Sequence, residues 1–138
     1  MLLDDVADLL STGGVGGVGT TSDWSIFKGK LPDAPEKAVA VYETGGLPSV
    51  HAMSTGPGNA AATLPRIQVL VRSPAYSTGR QKAHDAFRLL DGLRERTING
   101  VRYLWIAAVQ TEPFPIGRDE NDRPLIACNY DVVKEMST

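Results

Sequence analysis

The segment Pro65-Arg66-Ile67-Gln68-Val69-Leu70-Val71-Arg72 constrains the fold more than any other part of the chain. Its period of two places Ile67, Val69 and Val71 on one side and Gln68, Leu70 and Arg72 on the other, the pattern of a central strand. Four further segments read as strands. Asp23 to Lys30 and Lys37 to Glu43 are the first two, the second alternating Val39 and Val41 against Ala38, Ala40 and Tyr42, with Pro32 and Pro35 holding them apart. Asn99-Gly100 is a two-residue turn signal, because a type I′ turn needs positive φ at both positions, and a strand from Val101 to Gln110 follows it. Leu125 to Lys134 is the last strand and is expected to pair with Val101 to Gln110 as a hairpin.

Two helices accompany these strands. Leu2, Leu3, Val6, Leu9 and Leu10 recur at helical spacing with Asp4, Asp5 and Asp8 between them, so residues 2 to 11 form an amphipathic helix whose acids suit its N-terminal dipole end. The principal helix is expected to be capped by Ser77. Its apolar stripe is Ala83, Ala86, Phe87, Leu90 and Leu93, with Arg80, Lys82, Arg88 and Glu95 outward. The order predicts an α+β domain, a largely antiparallel sheet of four to five strands with two helices on one face. Two segments are expected to be irregular: a flexible glycine-rich stretch at 13–22 and a long loop at 45–65, a length usually functional or disordered in compact domains.

With 138 residues the chain is one domain, 1–138, and 42% hydrophobic residues suffice for a core. The apolar run Leu104 to Val109 falls far short of the about 20 residues that span a bilayer. Acids near the N-terminus, where a secretory signal carries bases, predict that the chain stays in the cytoplasm where it is made. A single Cys128 excludes an intrachain disulfide, and one thiol with two histidines makes neither a structural zinc site nor another metal site.

Charge is segregated along the chain. The net charge of -2 argues against a surface that holds nucleic acid. Residues 1 to 23 carry four acids and no base, residues 66 to 111 carry eight bases against three acids, and residues 112 to 138 carry three against six. Such blocks are either ordinary surface scatter or a self-complementary pattern in which one copy's acidic end meets the next copy's basic middle.

No motif points to catalysis. Gly14-Val15-Gly16-Gly17-Val18-Gly19 matches the dinucleotide-binding fingerprint in spelling, but it follows a helix and leads into Thr20-Thr21-Ser22-Asp23-Trp24, so no helix N-terminus waits for a phosphate. No cofactor is implied. His51, His84 and Cys128 could form a thiol and imidazole pair, yet Cys128 lies in an alternating strand and reads as a small core residue. Asp119, Glu120 and Asp122 lack the glycine and distal glutamate of a calcium loop and read as a solvated turn or a contact with a neighbour.

Several stretches together resemble the bacteriophage minor capsid and tail terminator family over residues 24 to 134. They are Pro35 to Gly46, Leu64 to Arg72, the helix of Ala83 and Phe87, Gly117-Arg118-Asp119-Glu120, and Pro124 to Val132. The resemblance implies a non-enzymatic structural protein of the virion at the head-tail junction of a long-tailed phage. It implies a homo-oligomer, a hexameric ring on the last disc of the tail tube, that meets the tail tube protein and a head completion or connector protein. DNA would pass through the lumen without tight binding, and no membrane is involved. The alternatives are a head completion or connector subunit and, in a different class, a small cytoplasmic ligand-binding domain or enzyme. Within the ring reading, Arg66, Arg72 and Arg88 are candidate partners for Asp119, Glu120 or Asp122 of an adjacent copy. The glycine run is either a plain linker or a segment ordered on assembly.

Overall fold

The computed structural model describes residues 2–18, 24–50 and 62–135. Helices α1 (Leu2–Thr12) and α2 (Tyr76–Leu90) accompany strands β1 (Gly17–Val18), β2 (Ser25–Lys28), β3 (Ala38–Val50), β4 (Ala62–Arg72), β5 (Leu93–Ile98), β6 (Val101–Ala108), β7 (Phe114–Arg118) and β8 (Pro124–Glu135). They form one eight-stranded mixed sheet in the order β1-β2-β3-β4-β8-β6-β5, with β7 beside β8. Strands β1, β2 and β3 run parallel, and the other pairs are antiparallel. The α+β class and the mostly antiparallel pairing agree with expectation, while the sheet is larger than four to five strands.

The alternation in β4 organises the core. Val39 stands opposite Val71 and Val41 opposite Val69 on one side of β4. Ile67, Val69 and Val71 face Tyr130, Cys128 and Ile126 on the other. Directly paired residues share a face, so these side chains form one layer, each 2% exposed or less. Leu2, Val6, Leu9 and Leu10 of α1 and Ala83, Ala86 and Leu90 of α2 close over it in a single cluster. Cys128 is the small core residue its strand position implied.

Five expectations need correction. Residues 45–50 and 62–65 are not a loop: they prolong β3 and β4 as a hairpin arm, with Leu47 opposite Leu64 and Val50 opposite Ala62. Register shifts on either side of Gly46 and Leu47 absorb the glycines, and at Gly46 (φ 147°) a Cβ would stand 2.2 Å from the Leu64 carbonyl oxygen. His51 and Met53 lie outside the described residues. The 13–22 stretch is built into the fold as far as Val18: Val15 is 1% exposed, and Gly17 donates its N–H to the Trp24 carbonyl at 3.0 Å. A Cβ on Gly16 would meet that same oxygen at 2.8 Å. Residues 19–22 lie outside the described residues.

The helix α2 begins at Tyr76 without a side-chain cap, so Ser77 lies inside it. The Ser73 hydroxyl accepts the Ala75 N–H at 3.2 Å instead. The helix ends at Leu90, and after Gly92 (φ 82°) the chain enters β5, which claims Leu93 and Glu95. Asn99 (φ 50°) and Gly100 (φ 80°) then make the expected turn into β6. Finally, the Pro113 to Arg123 connection contains β7, whose Phe114 pairs with Ala127 and Arg118 with Pro124.

One irregularity decides what the sheet shows to solvent. In a regular strand Tyr103 and Trp105 would share a face. The register of β6 on β8 slips between them, so Tyr103 pairs with Lys134 and Trp105 with Val133, adjacent residues of opposite facing. Across the strand Glu95 has φ 46°, which bends β5 in step. Tyr103 therefore turns into the core and Trp105 away from the helices, 39% exposed.

Candidate assembly surfaces

The turn between β7 and β8 is held by a charged knot. The Asp119 carboxylate accepts the N–H groups of Asn121 at 3.0 Å and Arg123 at 2.9 Å, and the Arg123 Nε at 2.7 Å. Arg123 also donates to the carbonyl and carboxylate of Asp33, each at 2.8 Å, and its side chain is 8% exposed. Partial burial raises the Asp119 carboxyl, but these hydrogen bonds outweigh it and hold the group below its usual value. Burial likewise opposes the charge on Arg123, and its two carboxylate partners more than restore it.

Arg72 joins the same knot. It is 3% exposed and donates to the carbonyls of Pro35 and Glu36. Burial and the nearby Arg123 guanidinium lower its pKa, against the pull of Asp119, Asp33 and Glu36. The structure thus brings Arg72 and Asp119 together, but within one copy, and both are engaged there. Glu120 and Asp122 project from the knot. Asp122 has φ 59°, and its side chain, 88% exposed, lies 3.7 Å from Arg118, itself 52% exposed. Glu120 is exposed and has no ion pair among the described residues.

Arg66 and Arg88 lie apart from the knot and from each other. Arg66 donates its Nε to Asp131 at 2.8 Å across β4 and β8, on the face away from the helices, and that bond raises its pKa. Arg88 is exposed in the last turn of α2, a favourable place for a cation at a helix C-terminus. Sequence reasoning overlooked Arg123, Asp33 and Asp131. Only the Asp119 and Arg123 spacing offered a local signal, since Asp33 is 90 residues from Arg123.

A second polar contact ties α1 to the sheet. Asp5 is 1% exposed and accepts the Tyr103 hydroxyl proton at 2.5 Å and the Asn99 Nδ2 at 2.8 Å. Burial first, and the Asp5 contact second, push the Tyr103 phenol far above its usual value. This is an anchor between helix and turn. His84 packs edge-on against Phe87 with ring centroids 5.7 Å apart.

A cleft of about 580 Å³ at the base of the hairpin arm is lined by Leu2, Leu47, Thr63, Val101 and Lys134 among others, and neither His84 nor Cys128 reaches it. Among the described residues no cluster of His, Cys, Asp and Glu could hold a metal ion, and no helix is long and apolar enough to cross a membrane. The chemistry displayed is that of contact surfaces: an acidic turn, scattered free guanidinium groups and exposed apolar side chains.

The fold is shared with a virion subunit. A chain from the solved structure of the virion of a native gene transfer agent (GTA) particle matches with a TM-score of 0.56 and 14% identity, covering 95% of this chain and 84% of that one. The model of the bacteriophage tail terminator protein family matches residues 9–136, and the chain belongs to that family. It is a structural component of the virion, not an enzyme. No curated protein matches.

Proposed function

We propose that the chain ends the phage tail tube as a closed, hexameric ring of identical copies and joins it to the head-tail connector. The observation that carries this reading is a family member whose turn displays Glu120 without an ion pair and an exposed Asp122, while Arg88 and the rim of the sheet carry bases without ion pairs among the described residues. Opposite charges at different places on one subunit favour a heterologous contact, and heterologous contacts form a ring where the rotation between copies closes. Glu120 and Asp122 of one copy meet bases of the next, with Arg66 and Arg88 as candidates. Arg72 and Asp119 hold the turn in shape from within. The net acidic chain suits a lumen through which DNA slides without being gripped, at the head-tail junction of the virion.

The test is the mass of the purified chain alone and after mixing with tail tubes, with electron microscopy of the mixture. Rings capping tube ends support the reading. A monomer that ignores tubes but binds the head-side connector moves the protein to a head completion role.

A further inference from the structure

The sheet face turned away from both helices carries a band of apolar side chains running across its strands. Arg94 of β5 pairs with Trp105 of β6, and Trp105 with Val133 of β8. On β4, Leu64 lies two residues from Arg66 and so on the same face, as Val133 lies two from Asp131, and Arg66 pairs with Asp131. Leu64 in turn pairs with Leu47 of β3. The band therefore reads Leu47, Leu64, Val133, Trp105 and Arg94 from one side to the other, with the Arg66 and Asp131 ion pair alongside. Leu47 is 63% and Trp105 39% exposed, and Arg94 is exposed with no ion pair among the described residues.

The same chain carries a complement to this band elsewhere. Ile116 in β7 is 47% exposed, and β7 runs directly into the turn that displays Glu120 and Asp122. Ile116 beside Glu120, which has no ion pair among the described residues, and Asp122, held only by the exposed Arg118, matches an apolar band bordered by the unpaired Arg94. The knot of Asp119, Arg123 and Asp33 keeps the turn rigid, so little ordering is needed on contact.

The geometry points to a heterologous contact in which the β7 and β8 turn of one copy docks on this uncovered band of the next, centred on β5, β6 and β8 with Leu47 at its far edge. Ile116 packs on Trp105 and Val133, and Glu120 and Asp122 reach Arg94, with Arg66 behind it. The occupant is a second copy of this chain, on the ground of charge complementarity. This rests on the ring reading and narrows it: Arg88, on the helix side, stays outside the contact.

The experiment compares the assembly of full-length wild type with Arg94→Glu, with Glu120→Lys/Asp122→Asn and with Arg88→Glu, by mass and by tube capping. Asn keeps the left-handed backbone at 122. Thermal melts establish that each variant is folded, since every replaced side chain is exposed. Either of the first two variants should raise the concentration needed for assembly by about tenfold or more, an effect of one lost charge contact, while Arg88→Glu assembles as wild type does. Mixing the two defective variants should restore assembly as rings of alternating copies, because one contact is then the native charge pair and the next its reversal. Combining Arg94→Glu with Glu120→Lys/Asp122→Asn in one chain should restore assembly. Wild-type rings with all variants unaffected, or with only Arg88→Glu impaired, would overturn this contact and leave the ring reading standing. A wild type that never self-associates, alone or on tubes, would overturn both.

Discussion

The two faces of the central sheet are built from the same strands, one residue out of step, and they have been put to different uses. Toward the helices, Val39, Val41, Ile67, Val69, Val71, Ile126 and Tyr130 are buried to 2% exposure or less. One step along the same strands, Tyr42, Gln68, Leu70, Asn129 and Asp131 remain partly open. The first face stabilises the subunit. The second is closed at one end by Arg72 and Arg123, and elsewhere leaves apolar side chains beside ion pairs, a mixture typical of surfaces that are covered only on assembly.

If this division holds, damage to the covered face should unfold the subunit. Ile67→Ala removes three buried carbons from the centre of the layer and should cost about 4 kcal/mol, read by urea denaturation. A cost below about 1 kcal/mol would mean that the layer is not the core.

The closed end of the open face is the next most sensitive place. Arg123→Met leaves Asp119 and Asp33 without their shared cation and should cost about 3 kcal/mol. The pH dependence follows from the direction of the Asp119 shift. Its folded pKa lies below the ordinary carboxylate value of about 3.9, so its hydrogen bonds stabilise the fold fully above that pH. That contribution is lost as pH falls from there through the lowered value. Urea midpoints at pH 7 and pH 3 should therefore converge in Asp119→Asn relative to wild type. Midpoints equally separated in both proteins would show that the knot does not carry acid sensitivity.

Much of the covered face was legible in the sequence because burial on one side forces a period of two, and Ile67, Val69 and Val71 display it. The same logic failed at β5, where Leu93-Arg94-Glu95-Arg96-Thr97-Ile98 does not alternate and an apolar Leu93 extends the stripe of α2. The extended Asp91 (φ −70°, ψ 121°) and the positive φ of Gly92 separate helix from strand, and those are backbone properties. The arm of β3 and β4 was hidden by Gly45, Gly46 and Pro65, residues that spell a loop yet form a bulged ladder. Of the candidate site residues, sequence charge blocks found the acidic turn but could not foresee that Arg72 is satisfied internally, because Pro35 and Glu36 reach it only through the fold, as Asp33 reaches Arg123; the pairing of Asp119 with Arg123 four residues on was a local signal.

Tyr103 sits where the two faces exchange roles. Tyr103→Phe keeps the buried ring and removes one of the two neutral donors that hold Asp5, so it should cost about 2 kcal/mol, the value of a hydrogen bond to a charged group. The loss should be accompanied by faster hydrogen exchange in α1, since this contact joins that helix to the β5 and β6 turn. Unchanged exchange in α1 would place the anchoring of the helix in its apolar stripe alone.

The smallest effect on stability should come with a large effect on assembly. Leu47 is 63% exposed at the end of the apolar band, so Leu47→Ser should leave the urea midpoint within about 0.5 kcal/mol of wild type. The same substitution removes an apolar side chain from the surface proposed to be covered by a neighbouring copy. Wild-type and variant subunits should then melt together at low concentration and separate as concentration rises, because only the assembled form is stabilised by mass action. Melting curves that coincide at every concentration would place Leu47 outside the contact and confine the docking surface to the Trp105 and Arg94 end of the band.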